Sequence, residues 1–116
     1  MFDNHMSKWI KGKGGYAKKI LIDKISGRIK SIQINKFPSK AHIPPHYHKK
    51  TTELFYILQG NATMKVGKKV YKAKPGMIIL NPAGSVHELK NGPKETRLLT
   101  FKINSREGDL YWIKKY

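Results

Sequence analysis

The stretch that decides the reading is His46-Tyr47-His48-Lys49-Lys50-Thr51-Thr52-Glu53, answered further along by Gly76-Met77-Ile78-Ile79-Leu80-Asn81-Pro82-Ala83-Gly84-Ser85-Val86-His87. On extended backbone, residues two apart share a face, so His46 and His48 project together and Tyr47 points the other way. Glu53 lies an odd number of residues beyond His48, and a straight strand would put it on the opposite face. Lys49 to Thr52 must therefore turn the chain and bring its carboxylate back inside. His87 belongs to a distant strand. The two halves meet only where a sheet curls enough to bring its strands over one another, which is the geometry of a barrel.

The complete pattern is His46-x-His48-x4-Glu53 followed by Gly60, then Gly76-x5-Pro82-x-Gly84-x2-His87-x3-Asn91. At every fixed position it resembles the two signature motifs of the cupin superfamily. The resemblance covers about Ile29 to Ile103. It implies an all-β fold, a small antiparallel β-barrel of the double-stranded β-helix or jelly-roll kind. It also implies one divalent metal per chain held by three His and one Glu, which fall here on His46, His48, Glu53 and His87. It does not select a reaction, because cupins include dioxygenases, decarboxylases, isomerases, epimerases, sugar-binding regulators and storage proteins.

Imidazole and carboxylate donors suit several transition metals, with Fe, Mn, Ni and Zn as the candidates. On an octahedral ion these four ligands leave two positions for substrate, water or dioxygen. A tetrahedral Zn with the same four is saturated and structural. Two functions follow. One is a metal-dependent enzyme, of isomerase or dioxygenase type, acting on a small anionic oxygen-rich metabolite such as a carboxylate, a sugar or a sugar phosphate. The other is a non-catalytic metal-containing module that binds or senses a small ligand. Acid and base partners are not identified by the pattern. Tyr56 should face outward, and Lys40 and His42 approach the barrel mouth only if the preceding loop folds over it.

The 116 residues suffice for one core. We expect an irregular lead-in over residues 1–15, rich in glycine, and a single barrel domain over 16–116. His5, in the lead-in, reads as a solvated tail residue, and Met6 as a possible alternative start. No apolar run approaches bilayer length and no signal core follows the first charges, so the chain reads as cytoplasmic, with no membrane partner. The absence of cysteine removes disulfides and thiolate ligands. Twenty-four basic residues against 7 acidic ones give a net charge of +17. Such a chain attracts anions at long range. The lysines are scattered in ones and twos, as Lys49-Lys50, Lys68-Lys69 and Lys114-Lys115, without an Arg cluster or reading helix, so no specific nucleic-acid recognition is expected.

Ala17 to Asp23 and Ile29 to Phe37 read as a hairpin turning at Ser26-Gly27. Pro44-Pro45 marks a loop before the first motif, with His42 inside it. Glu53 to Leu58 is apolar on both faces. Phe55 and Ile57 share the side of Glu53, and Leu54, Tyr56 and Leu58 form an outer stripe that the N-terminal hairpin or a second subunit must cover; a homodimer is the preferred reading. Ala62 to Val66 and Val70 to Ala73 form a further hairpin about Gly67-Lys68. Glu88 should face away from His87, at the surface. Asn91 should shape its turn through side-chain to backbone hydrogen bonds. Glu95 to Ile103 is a strand, and Tyr111 and Trp112 supply an aromatic tail that packs on the barrel or on a partner.

Overall fold

The computed structural model describes residues 8–23 and 27–113; His5, Met6, Ser26 and Lys114-Lys115 lie outside them. Eleven strands follow in order: β1 (Ile10–Lys11), β2 (Ala17–Asp23), β3 (Ile29–Phe37), β4 (His42–Tyr47), β5 (Thr52–Gln59), β6 (Thr63–Val66), β7 (Lys69–Lys72), β8 (Ile78–Asn81), β9 (His87–Lys90), β10 (Thr96–Ile103) and β11 (Tyr111–Trp112). Among the described residues no helix is long and apolar enough to cross a membrane.

The strands form two antiparallel sheets, one ordered β1-β2-β3-β10-β5-β8 and the other β11-β4-β9-β6-β7. The expected barrel is thus a jelly roll whose ladders stay separate. Its enclosure comes from side-chain packing between the sheets. Phe37, Phe55, Ile57 and Leu98 from the first sheet meet Ile43, Met64 and Leu89 from the second, all buried. Each such side chain contributes about 1.5–3 kcal/mol on leaving water.

Alternation explains most strands. In β5, Glu53, Phe55 and Ile57 are buried while Leu54, Tyr56 and Leu58 are not. The hairpin β6–β7 pairs Val66 with Lys69 across Gly67-Lys68. Gly60 has a φ of +94°, and a Cβ there would overlap Thr96, so the turn after β5 needs glycine for both conformation and space. Asn91 acts as its spacing suggests. Its Nδ2 donates to the carbonyls of Phe37, Pro38 and Lys94, and its Oδ1 accepts from Thr96 Oγ1.

Pro44-Pro45 and His42 are a correction, since all three lie within β4 rather than in a loop. The β4–β9 ladder breaks between Ile43 and His46, so the prolines occupy the interval where no ladder donor is required. The N-terminal strands β1 and β2 extend the six-stranded sheet beyond β3, at the edge opposite β8. They do not fold across its outer face.

Candidate metal centre

The two sheets meet where the chain passes from β4 to β5, and the expected ligands gather at that seam. His46 and His87 are direct cross-strand partners on β4 and β9. Their ring centroids are 3.9 Å apart. His48 follows the end of β4, with its ring 5.8 Å from His46 and 5.5 Å from His87. One ring nitrogen from each of the three lies within 4.8 Å of the others, and the cluster could hold a metal ion. Glu53, from β5 of the other sheet, brings Oε1 to 3.1 Å from His48 Nε2 and 3.5 Å from His87 Nε2. All four are buried.

The far side of two of the rings sets their tautomer. His46 Nδ1 lies 2.8 Å from the Pro44 carbonyl, and His48 Nδ1 lies 2.6 Å from the Asp109 carbonyl. A carbonyl only accepts, so both Nδ1 atoms carry the proton and, in the neutral ring, leave Nε2 with a free lone pair directed inward. Asn81 stands between the remaining two groups. Its Nδ2 is 3.2 Å from Glu53 Oε1 and 3.1 Å from His87 Nδ1. Its Oδ1 is buried without a partner among the described residues, so the polar demands of this seam are not met by protein atoms alone. Three imidazoles and one buried carboxylate are donors of the kind a divalent transition metal takes.

At Glu53, His46 and His87 the electrostatics favour the protonation states that ligands need. Burial by itself would raise the Glu53 carboxyl, but the His48 hydrogen bond and the charges of His48, His87 and Lys102 outweigh it and hold the group down at about 2. Burial, reinforced by His46, lowers His87 to about 3 against the pull of Glu53. Burial also lowers His46. These two rings are therefore neutral near pH 7. His48 is raised, because its hydrogen bond to Glu53 and that group's charge overcome burial. Its proton is the one a metal must displace.

Three residues of the site were not identified from the sequence. Asp109 accepts hydrogen bonds from the backbone N–H groups of Lys49, Lys50 and Thr51 and from Thr51 Oγ1, at 2.8 to 2.9 Å. It thereby fixes the turn that returns Glu53 to the interior, while its carbonyl orients His48. Against the lowering by these donors burial works the other way, and the carboxyl settles at about 2. Asn81 had no reading beyond its place inside the second motif. Trp112, expected only as a packing aromatic, lies 4.7 Å from His46, ring to ring, because β11 pairs with β4 at that residue. No local signal marks Asp109, whose partners lie 58 to 61 positions away.

A cavity of about 350 Å³ opens onto the cluster. Phe37, Ile43, Phe55, Met64, Leu89 and Leu98 line it with apolar surface, and Lys18, Gln33, Asn35, Thr100 and Lys102 form a polar wall. Lys40 and His42 are not on it. His42 Nε2 instead meets Glu88 Oε2 at 2.7 Å on the outer side of the second sheet, in keeping with the expected surface position of Glu88.

A family model described as "Cupin domain" matches residues 34–102. Comparison with curated proteins gave no match. Among solved structures, KdgF from Halomonas sp. is similar at 20% identity and a TM-score of 0.78, over 91% of this chain and 94% of that one. A predicted oxalate decarboxylase from Thermotoga maritima is similar at 20% identity and a TM-score of 0.76, over 89% and 97%. The polyketide cyclase RemF from Streptomyces resistomycificus is similar at 19% identity and a TM-score of 0.80, over 100% and 86%. Identities of this size speak for the fold alone. With more than half of its length matched to the family model and both motifs converging on one cavity, the chain belongs to the cupin superfamily.

Proposed function

We propose that this chain is a metal-dependent enzyme acting on a small, anionic, oxygen-rich metabolite: a carboxylate, a sugar or a sugar phosphate. One observation carries the reading: three histidines with inward-facing ring nitrogens and the Glu53 carboxylate meet at the wall of a cavity of small-molecule size. His46, His48, Glu53 and His87 would hold a single Fe, Mn, Ni or Zn ion. Bound there, that ion would supply Lewis-acid polarisation for isomerisation or a redox centre for dioxygen chemistry. The chain's own groups do the rest. Pro44 and Asp109 keep two rings in the ligating tautomer, and the apolar lining limits the water that reaches a bound molecule. Tyr16, whose phenol is raised by burial and by Glu53, stays protonated as a donor on the same cavity.

Two of the similar proteins are described as enzymes, a predicted oxalate decarboxylase and a polyketide cyclase, which supports a catalytic use of the scaffold without naming the reaction. The test is to incubate metal-loaded protein with panels of carboxylates, sugars and sugar phosphates, with and without dioxygen, and to follow them by NMR. Conversion that disappears in Glu53→Gln is the expected result. Saturable binding with no conversion in any panel overturns the enzyme reading and leaves a metal-containing binding or sensor module.

The assembly we propose is a homodimer through the outer face of the six-stranded sheet. Ladder pairing aligns two rows there. One runs Ile22, Ile32, Phe101, Leu54, Leu80, and the other runs Lys19, Ile34, Leu99, Tyr56, Ile78. Ile78 is 67% exposed and Leu80 52%. The central columns contain no charge, so a second copy can approach despite the net charge of +17. At the margin, Trp9 lies 4.2 Å from Lys36 Nζ and 5.8 Å from both Lys19 Nζ and the Arg97 guanidinium, a polar rim of the kind that surrounds interface cores. Light scattering at micromolar concentration should give twice the chain mass. The mass of a single chain overturns the assembly.

A further inference from the structure

The polar wall of the cavity holds two lysines whose placement folding alone does not explain. Lys102 stands directly across the β10–β5 ladder from Glu53, on the same inward face. The two nevertheless form no ion pair among the described residues, and Glu53 Oε1 instead faces His48, His87 and Asn81. Lys18, on β2, also lines the cavity. Burial, and then the charge of Lys102, pushes its ammonium below the ordinary lysine range, with Glu53 acting in the opposite sense. The lining carries one other carboxylate, Asp109, and its oxygens are occupied by the turn at Lys49 to Thr51. Two partly buried cations near each other, neither in an ion pair among the described residues, repel one another in the unliganded protein.

Beside Lys18 on the same wall lies an amide. Asn35, the ladder partner of Lys18, accepts at Oδ1 from Gln33 Nε2 at 3.2 Å and from Thr100 Oγ1 at 2.7 Å. Both lone pairs of Oδ1 are used in this arrangement. Its Nδ2 is left as a donor on the cavity wall. Two ammonium groups and an amide N–H₂ are donors only. These three groups favour a group made entirely of acceptor oxygens over the mixed donor and acceptor hydroxyls of a neutral sugar.

We propose that Lys18, Lys102 and Asn35 form an anion subsite that takes a carboxylate or phosphate group of the ligand held in the cavity. The inference rests on the reading of this cavity as the ligand chamber and narrows it to ligands bearing an oxyanion. It is separable from metal binding, since none of the three residues belongs to the ligand set.

The experiment is calorimetric titration of the as-purified protein and of chelator-stripped protein with malonate, with inorganic phosphate and with a neutral hexose, with metal content measured on the same samples. The double variant Lys18→Met/Lys102→Met should lose malonate or phosphate affinity by about tenfold or more, while metal content stays at the wild-type value. The control Lys65→Met/Lys68→Met removes two exposed lysines and should change affinity by less than about twofold, since long-range attraction from surface charge is weak at physiological salt. Lys102→Gln alone, checked by thermal melting, keeps the test valid if the double variant folds poorly, and should lose affinity in the same direction. Tighter malonate identifies a carboxylate ligand, tighter phosphate a phosphate ester, and either supports the subsite. Lysine-dependent anion binding by protein that takes up no metal keeps the subsite and removes the metal-enzyme reading. Equal anion affinity in wild type and both cavity variants, or a hexose bound as tightly as either anion, overturns the subsite whatever the metal content.

Discussion

The two faces of the six-stranded sheet reverse the usual arrangement. Its enclosed face presents Gln33, Asn35, Glu53, Thr100 and Lys102, while its outer face presents Ile32, Ile34, Leu54, Tyr56, Leu99 and Phe101. Antiparallel sheets commonly put the apolar side on the core and the polar side in water. Here the enclosed polar groups surround a cavity, and the apolar core is confined to the floor made by Phe37, Phe55, Ile57, Leu98 and their partners from the second sheet. The difference teaches that a face should be read by what it encloses. Polar residues at inward positions mark a chamber for a ligand, and apolar residues at outward positions mark a place for a partner.

Substitutions on the two faces should therefore separate. Ile57, 1% exposed in the floor, has no way to fill the space left by truncation, so Ile57→Ala should lower stability by about 3 kcal/mol in denaturant melts. Leu80→Ala on the outer face should change the stability of the dissociated chain by less than about 0.5 kcal/mol. Leu80→Glu is the sharper probe of that face. A carboxylate buried without a partner in the proposed interface should weaken association by about a hundredfold, or about 2.7 kcal/mol, in sedimentation, with the metal content unchanged. If both Leu80 variants destabilised the fold as much as Ile57→Ala, the contrast between the faces would fail.

Asp109 links the two sheets, because it fixes the turn that carries the chain from β4 to β5. Asp109→Asn should cost about 2 kcal/mol, since the amide keeps one acceptor and loses the charge that strengthened four hydrogen bonds. The sign of its pH dependence follows from a carboxyl lowered on folding from 3.8 to about 2. That contribution is complete above the unfolded value and is lost as pH falls from about 4 toward 2. Acid melts of wild type and Asp109→Asn should converge over that window. Parallel curves would mean that the carboxylate does not hold the turn. The smallest expected effect concerns nucleic acid. Duplex DNA should bind weakly, fade steeply with salt and show a sequence preference under about tenfold, or 1.4 kcal/mol, because scattered lysines neutralise phosphates and read no bases. A complex that survives physiological salt would give the basic surface another role.

Much of this molecule was legible where the determining information is local. The hairpin Ala17–Asp23 with Ile29–Phe37 and the alternation in β5 follow from period-two patterning, and the turn at Asn91 follows from a side chain bonding nearby carbonyls. His46, His48, Glu53 and His87 were nameable because their spacing, with the glycines and proline between, forms a specific double pattern. Pro44-Pro45 misled because proline rules describe a regular ladder, and β4 is irregular where they lie. The expected jelly roll is present, with its strands in two separate ladders in place of one closed sheet. Asp109 and Trp112 were beyond reach. Their roles depend on which strand β11 joins, and a two-residue strand carries almost no pattern of its own.

The central claim is that four side chains from two sheets form one metal site, and elemental analysis of protein purified without a chelating tag tests it most directly. Wild type and His42→Ala, which removes the outer partner of Glu88, should each carry one divalent ion per chain. His48→Ala should carry less than about a tenth of an ion per chain, because a ligand is lost and Glu53 loses the partner that holds it at the seam. Equal metal content in wild type, His42→Ala and His48→Ala would contradict the account.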